Sequence, residues 1–149
     1  MIVYKQKKAT QKELLLHLEK CDALFIPNLS TTVNLNQYAL KITSNAITFE
    51  AWDHEQLVAV VAAYFNNIIS KTGFITNVSI VKEHSNRGIA SELLSMAKTY
   101  ASENGFHKIN LKVHPKNTNA LKFYLKNEFK TLTPYKEDFI VMEYDISNK

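Results

Sequence analysis

The sequence predicts a single α+β domain, a mixed α/β sandwich in which about four helices pack on a central, mostly antiparallel sheet of six or seven strands. The chain has 149 residues, of which 46% are hydrophobic and 21% are charged, as in one globular domain. Helix-like and strand-like segments follow one another in the order β-α-α-β-β-β-α-β-α-β-β. The three glycines and three prolines stand at breaks between these segments.

The first third of the chain predicts a short strand and two helices. Residues 1–4 form the strand, and Thr10 is the N-cap of a helix that runs to about Cys21. A second helix begins near Asn34 or Asn36 and ends at Ala46, with apolar residues at spacings of three and four. These helices precede the predicted sheet.

The middle of the chain predicts an antiparallel meander of three strands. The strands are Ile47–Trp52, Leu57–Asn66 and Phe74–Val81, and the turns are Asp53–Gln56 and Ser70–Gly73. The second strand is almost continuously apolar, which is typical of a strand buried on both faces.

The last part of the chain predicts two helices and three strands. The long helix runs from about Arg87 to Asn104, and Gly105 follows as its C′ residue. The remaining elements are a half-exposed strand over Lys108–Val113, a helix over Asn117–Lys126, and strands over Phe129–Leu132 and Asp138–Tyr144.

Composition and charge exclude several classes of protein. The longest uncharged apolar stretch, Leu57–Phe65, is about half of what a membrane span needs, and the amino-terminal lysines precede no apolar run. The single cysteine, Cys21, cannot form an internal disulfide or build a zinc site by itself. The net charge is +4, and the lysines are spread out with no interleaved aromatic pattern, which disfavours nucleic-acid binding. We therefore expect a cytoplasmic protein with no metal, membrane or nucleic-acid partner, and the oligomeric state stays open, a homodimer included.

The segment over residues 78–90 predicts an anion site. A buried strand leads into a short polar loop and then into the first turn of the long helix, where unpaired N–H groups and the helix dipole attract phosphate. Gly88 allows a phosphate to approach the backbone, and Arg87, the only arginine, can place a cation beside it. The alternative interpretation is an ordinary helix start capped by Ser85 or Asn86.

A second motif is Asn117-x-x-Ala120-x-x-x-Tyr124. Asn117 is a suitable N-cap, and Ala120 and Tyr124 share one face of the helix at a spacing of four. Taken alone, this pattern is more typical of a capped amphipathic helix with aromatic core residues than of a binding motif.

Together the two motifs resemble the GNAT superfamily of acetyl-coenzyme A-dependent N-acetyltransferases. Residues 85–90, Ser-Asn-Arg-Gly-Ile-Ala, resemble the family's phosphate signature Gln/Arg-x-x-Gly-x-Gly/Ala, and residues 117–124 resemble its second coenzyme motif. The order of elements agrees with this fold along nearly the whole chain, which implies one domain over residues 1–149 with a splayed central sheet. Ser85 departs from the first signature position, and Glu128 stands where a Gly-Phe pair is common.

The resemblance implies acetyl-CoA as cosubstrate and assigns residues to it. The pantetheine arm is expected on the main chain of Ile80 and Val81, since an open strand edge offers N–H and C=O groups to an amide-bearing ligand. The pyrophosphate is expected on Ser85, Asn86, Arg87, Gly88, Ile89 and Ala90, and Asn117 belongs to the second coenzyme motif. Tyr124 matches the position of a tyrosine that protonates the leaving thiolate, a role that suits a phenol with a pKa near 10.

The general base and the acceptor are less determined by the sequence. His114 is the best titrating candidate, and the alternative is a surface histidine beside Pro115. Asn77 and Ser79 alternate on one face and could orient a water, but neither is a base. The polar, uncharged loop over residues 26–34 favours a small-molecule amine such as an amino sugar or an amino-acid-like metabolite. A protein N-acetyltransferase and a non-catalytic coenzyme A-binding domain remain alternatives.

Overall fold

The computed structural model describes residues 1–132 and 139–146, and its elements follow the predicted order. The elements of the first half are β1 (Ile2–Gln6), α1 (Gln11–Cys21), α2 (Leu35–Asn45), β2 (Ile47–Asp53), β3 (Gln56–Asn67) and β4 (Thr72–Ile80). Those of the second half are α3 (Ile89–Glu103), β5 (Lys108–Val113), α4 (Thr118–Lys126), β6 (Lys130–Thr131) and β7 (Ile140–Asp145). The predicted start of the last strand, Asp138, lies outside the described residues.

The described strands form one sheet with the order β1-β2-β3-β4-β5-β7-β6. Adjacent strands are antiparallel except β4 and β5, which are parallel. The β4–β5 pairing covers only Thr72–Phe74 against Lys108–Asn110. Beyond these residues the two strands separate, which confirms the mixed, mostly antiparallel and splayed sheet.

Helices cover both faces of the sheet. One apolar cluster joins α1 and α2 to β2 and β3 through Leu14, Leu18, Ile42 and Val60. The larger cluster joins α3 to the opposite face. Side chains 57–63 of β3 are buried on both faces, as the apolar run predicts.

Local capping signals set the starts of three helices. Thr10 caps α1 in a capping box with Glu13, Asn34 accepts from the N–H of Gln37 at the start of α2, and Asn117 accepts from the N–H of Ala120 at the start of α4.

A buried carboxylate holds the start of α1 against the sheet. Glu50 is fully buried on β2 and accepts hydrogen bonds from the N–H groups of Lys8 and Ala9, at 3.0 and 3.1 Å. The Thr48 hydroxyl and the Trp52 indole N–H also donate to it, at 2.5 and 3.1 Å. These four donors satisfy a charge that would otherwise be costly to bury, and they fix how α1 enters the fold.

Two glycines differ from their predicted settings. Gly73 lies inside β4 rather than in the preceding turn. A Cβ at this position would lie 2.5 Å from the ring of Phe65, so the contact with that ring favours glycine. Gly88 stands before α3 with φ +79°, so the helix begins at Ile89 and not at Arg87.

Candidate active site

A cavity of about 530 Å³ occupies the gap where β4 and β5 separate. Residues 75–80 of β4 line one wall, and residues 111–114 at the end of β5 line the other. On one face of the sheet the cavity is bordered by the end of α1 and the segment 24–32, and on the other by Ser85 and by Asn117–Tyr124 of α4. The cavity therefore connects the predicted coenzyme motifs with a separate wall on the opposite side.

The edge of β4 that faces the gap presents main-chain groups at alternate residues. The Val81 N–H donates to the Val58 carbonyl at 2.9 Å, so the neighbouring pair Ile80–Ala59 is a non-hydrogen-bonded pair of the antiparallel ladder. The same alternation directs the N–H and C=O groups of Val78 and Ile80 toward the gap. The predicted main-chain role of Ile80 fits this edge.

Val81 differs from the expectation. Its N–H is used by Val58, and its carbonyl accepts from the His84 N–H at 3.0 Å. Val78 offers the second open pair of main-chain groups, which the sequence analysis missed because strand pairing decides which residues alternate outward.

The loop over residues 85–90 leads into a helix start that no side chain among the described residues caps. Gly88 is in the left-handed region, and a Cβ built on it meets nothing within 4 Å, so open space lies beside the first turn of α3. No side chain of the described ranges caps α3, which excludes the interpretation that Ser85 or Asn86 caps an ordinary helix. The main-chain N–H groups at this helix start thus remain available to a ligand.

Ser85 is partly engaged within the protein. Its N–H and its hydroxyl both donate to the Lys82 carbonyl, at 3.2 and 2.7 Å. The Ser85 N–H is therefore not free for phosphate in this geometry. Asn86, whose φ is +64°, exposed Arg87 and Gly88–Ala90 form the remaining predicted cradle.

A hydrogen bond from His84 connects the start of the loop to the β2–β3 turn. Asp53 Oδ2 lies 3.0 Å from His84 Nε2, and Asp53 Oδ1 lies 2.9 Å from His54 Nδ1. These hydrogen bonds from His84 and His54 lower the pKa of Asp53 to about 2. The predicted turn thus has a second role in positioning the residues just before the phosphate loop.

Tyr124 both packs among aromatic rings and lines the cavity. Its ring makes edge contacts with Phe123 and Phe129, with centroids 5.3 and 5.8 Å apart. The residue also lines the cavity beside Ala120. Burial raises the pKa of the phenol above its ordinary value, so the hydroxyl remains a proton donor through the neutral range.

His114 lines the cavity at the end of β5, but its geometry does not suit a base. Its Nδ1 accepts a hydrogen bond from the Lys116 N–H at 3.1 Å. The neutral ring therefore carries its proton on Nε2, and its single ring lone pair is already used. In this arrangement His114 is a hydrogen-bond donor.

A buried polar cluster on the cavity wall was not predicted. His17, only 1% exposed, lies on α1 with Nδ1 3.2 Å from the Leu57 carbonyl and Nε2 2.9 Å from Ser79 Oγ. Ser79 Oγ is in turn 2.8 Å from Asn77 Oδ1, and both β4 residues line the cavity. Burial lowers the pKa of His17 to about 4. Its place on the apolar face of α1, four residues before Cys21, was the only sequence signal for this cluster.

The loop over residues 26–34 presents a different chemistry from the one its composition predicts. Ser30 is bound to the Asp22 carboxylate, and the hydroxyls of Thr31 and Thr32 donate to main-chain carbonyls. The residues of this region that line the cavity are mostly apolar: Leu24, Phe25, Ile26, Pro27 and Leu29. The hydroxyl-rich composition therefore serves the loop's own fold.

Comparisons with solved structures agree with this architecture. The PaiA N-acetyltransferase from Thermoplasma acidophilum, solved with coenzyme A, is 16% identical with a TM-score of 0.76, and 96% of this chain and 99% of that chain are covered. The ribosomal-protein-S18-alanine N-acetyltransferase from Escherichia coli is 15% identical with a TM-score of 0.78 and coverage of 99% and 95%. An acetyltransferase of the GNAT family from Staphylococcus aureus is 15% identical with a TM-score of 0.75 and coverage of 98% and 99%. At these identities the likeness concerns the fold.

Sequence comparison identifies the family. No curated protein sequence matched the chain significantly. No helix in the described part of the chain is long and apolar enough to cross a membrane. A family model described as the acetyltransferase (GNAT) family matches residues 14–129, which is most of the chain. The chain therefore belongs to the GNAT family of acetyltransferases.

Proposed function

We propose that this protein, acting as one domain over residues 1–149, transfers an acetyl group from acetyl-CoA to the primary amine of a small acceptor. The observation that carries the proposal is the cavity through the splayed sheet, which has predicted coenzyme residues on one side and a separate apolar wall on the other. A two-sided gap allows an amine and a thioester to meet from opposite directions.

The coenzyme side fits the chemistry of acetyl-CoA. Open main-chain groups of Val78 and Ile80 suit the amides of the pantetheine arm. The helix start at Gly88–Ala90 suits a pyrophosphate, with Arg87 beside it, because N–H groups and the dipole both favour negative charge. Asn117 supports this side by fixing the start of α4.

The reaction needs donors and acceptors of protons around the thioester carbon. In the proposed reaction a neutral amine attacks the carbonyl carbon, and the C–S bond breaks as the amide forms. Tyr124 supplies the proton to the thiolate, since burial keeps its hydroxyl protonated. We assign His114 a donor role at the cavity wall, because its Nδ1 is occupied by the Lys116 N–H.

The wall opposite the coenzyme residues favours an acceptor with an uncharged body. Its lining is mostly apolar, and the only charged residues among the described lining are Lys82 and Lys112. Lysines near an amine disfavour a dicationic acceptor such as a polyamine. We therefore propose an acceptor that carries one primary amine and no second positive charge. Amino sugars and amino-acid-like metabolites are the more polar members of this class.

Two measurements test this function. Acetyl-CoA should raise the melting temperature and bind in calorimetry, free coenzyme A should compete, and ATP and NAD should compete far less. Thiol release should then be measured with a panel of neutral amines, amino sugars, amino acids and peptides. Failure to bind acetyl-CoA would overturn the coenzyme assignment. Turnover of peptide amino termini alone would replace the small acceptor by a protein, and binding without turnover would favour a non-catalytic coenzyme A-binding domain.

A further inference from the structure

We propose that Ser79 and His17 form the proton-accepting pair of the acetyl transfer, with Ser79 touching the attacking nucleophile and His17 receiving its proton through Ser79. The inference rests on the proposed function. It concerns the general base, for which the strand from Phe74 to Val81 offers no carboxylate and His114 offers no open lone pair.

The geometry orients His17 as an acceptor. The Leu57 carbonyl can only accept, so the ring atom 3.2 Å from it, Nδ1, carries a proton. A neutral ring then leaves its lone pair on Nε2, which lies 2.9 Å from Ser79 Oγ. Cys21 Sγ is more distant from Nε2, at 3.8 Å. The Ser79 hydroxyl, which donates to Asn77 Oδ1 in the structure, is therefore also within hydrogen-bond distance of this lone pair.

The cluster has two proton arrangements, which differ in where the single Ser79 hydroxyl proton points; in the structure it donates to Asn77 Oδ1. With His17 neutral, the Ser79 hydroxyl turns away from Asn77 and donates to Nε2. With His17 protonated, Nε2 donates to Ser79 Oγ, and the Ser79 hydroxyl turns to donate to Asn77 Oδ1 at 2.8 Å. The second arrangement contains one proton more than the first, and Asn77 offers it a ready acceptor. A cluster with two such states can take up a proton from the cavity without moving a heavy atom far.

In the proposed transfer, each proton that one group loses is taken up by another. The amine nitrogen bonds to the thioester carbonyl carbon, its proton passes to Ser79 Oγ, and the Ser79 proton passes to His17 Nε2. The C–S bond breaks as the carbonyl re-forms, and the thiolate takes the Tyr124 proton. The imidazolium of His17 then releases its proton to water, and the Tyr124 phenolate takes one from water.

His17 also borders charged side chains outside the main cavity. A second cavity of about 160 Å³ is lined by His17, Leu57 and the charged side chains of Glu13, Lys20 and Glu55. Together with Cys21, these are the titratable groups that face the ring from α1 and from the β2–β3 turn. Burial, and to a smaller extent Lys20, disfavours the imidazolium, so the ring is returned to its neutral state after each turnover.

The experiment uses water as the nucleophile, because water has no ammonium form that would obscure the titration of the protein. Enzyme-dependent thiol release from acetyl-CoA is followed between pH 3.5 and 9, with phenethylamine as a second probe. Wild-type hydrolysis should rise with an apparent pKa near 4 and then level off. Ser79→Ala and His17→Asn should lower the rate by about 10²-fold or more and remove that rise.

The variants separate a relay from a structural role. Asn at position 17 can keep the hydrogen bond to Leu57, and Gln can keep a hydrogen bond to Ser79, but neither accepts a proton. Ser79→Thr, which retains a hydroxyl, should keep most of the rate. Exposed His107 and Ser95 provide matched controls as His107→Asn and Ser95→Ala. Rescue by His17→Gln, or an unchanged rate in Ser79→Ala, would overturn the proposal.

A readout that needs no turnover completes the test. Nitrogen-15 NMR of the free protein should show His17 as the Nδ1–H tautomer at pH 7, with Nε2 becoming protonated only near pH 4. The opposite tautomer would overturn the relay. Absence of thiol release from wild type with both probes, while calorimetry shows acetyl-CoA bound, would also overturn it. Loss of acetyl-CoA binding in wild type would instead overturn the proposed function.

Discussion

The stability of this protein should fall steeply between pH 6.5 and pH 4 because of His17. An ordinary histidine has a pKa of 6.5, and burial lowers the pKa of His17 to about 4. Between these values the unfolded chain binds a proton at this position and the folded chain does not, so the free energy of unfolding decreases as the pH falls. The contribution of His17 is fully present above pH 6.5. At about 1.4 kcal/mol for each pH unit of difference, its loss by pH 4 amounts to roughly 3 kcal/mol.

The measurement compares wild type with His17→Asn, since other histidines and carboxylates titrate in the same range. Urea unfolding can be followed by the fluorescence of Trp52, the single tryptophan, which is buried and lines the second cavity with His17. The variant is expected to be less stable at pH 7, and its difference from wild type should shrink by about 3 kcal/mol by pH 4. His107→Asn should keep the wild-type pH dependence. An identical pH dependence in wild type and His17→Asn would refute the reasoning.

Three further predictions concern the coenzyme side and the end of α4. Tyr124→Phe should lower the acetyl-transfer rate by about 10²–10⁴-fold with unchanged acetyl-CoA affinity and melting temperature; a normal rate would leave the residue with a packing role. Gly88→Val should weaken coenzyme A binding in calorimetry by at least about tenfold, because its branches would fill the space beside the first turn of α3, and it should cost about 1–2 kcal/mol at φ +79°. Affinity equal to wild type would mean that no phosphate binds there. Glu128→Gly should stabilise the fold by about 1 kcal/mol in urea titrations, since Glu128 has φ +73° just after α4, whereas Glu128→Ala should not.

Much of the fold was predictable because its signals are local. Thr10, Asn34 and Asn117 each cap a helix by accepting a hydrogen bond from an N–H three residues later. A short stretch of sequence is therefore enough to predict where these helices begin. The continuous apolar run of β3 predicts burial on both faces, because consecutive side chains of a strand point to opposite faces and all of these are apolar. Gly73 shows the limit of such signals, because the ring that covers it belongs to Phe65 on another strand.

The candidate site was predictable only in part. The phosphate loop and the Asn117–Tyr124 motif are continuous segments with recognisable spacing. The free main-chain groups of β4 were not fully predictable. The N–H and C=O groups of Val78, rather than those of Val81, point into the gap, and only the pairing of β4 with β3 decides which residues do so. His114 shows a similar limit, because a hydrogen bond from Lys116 determines which ring nitrogen retains a lone pair.

The sequence by itself determined the order of the elements, the helix caps, the apolar strand and the two coenzyme motifs, all of which depend on residues close together in the chain. Only the tertiary structure decided where β4 and β5 separate and what lines the gap between them. It also brought His17 to Ser79, 62 positions later in the chain. No local pattern records that contact, because a histidine on the apolar face of a helix becomes a proton acceptor only when another strand places a hydroxyl against its free nitrogen.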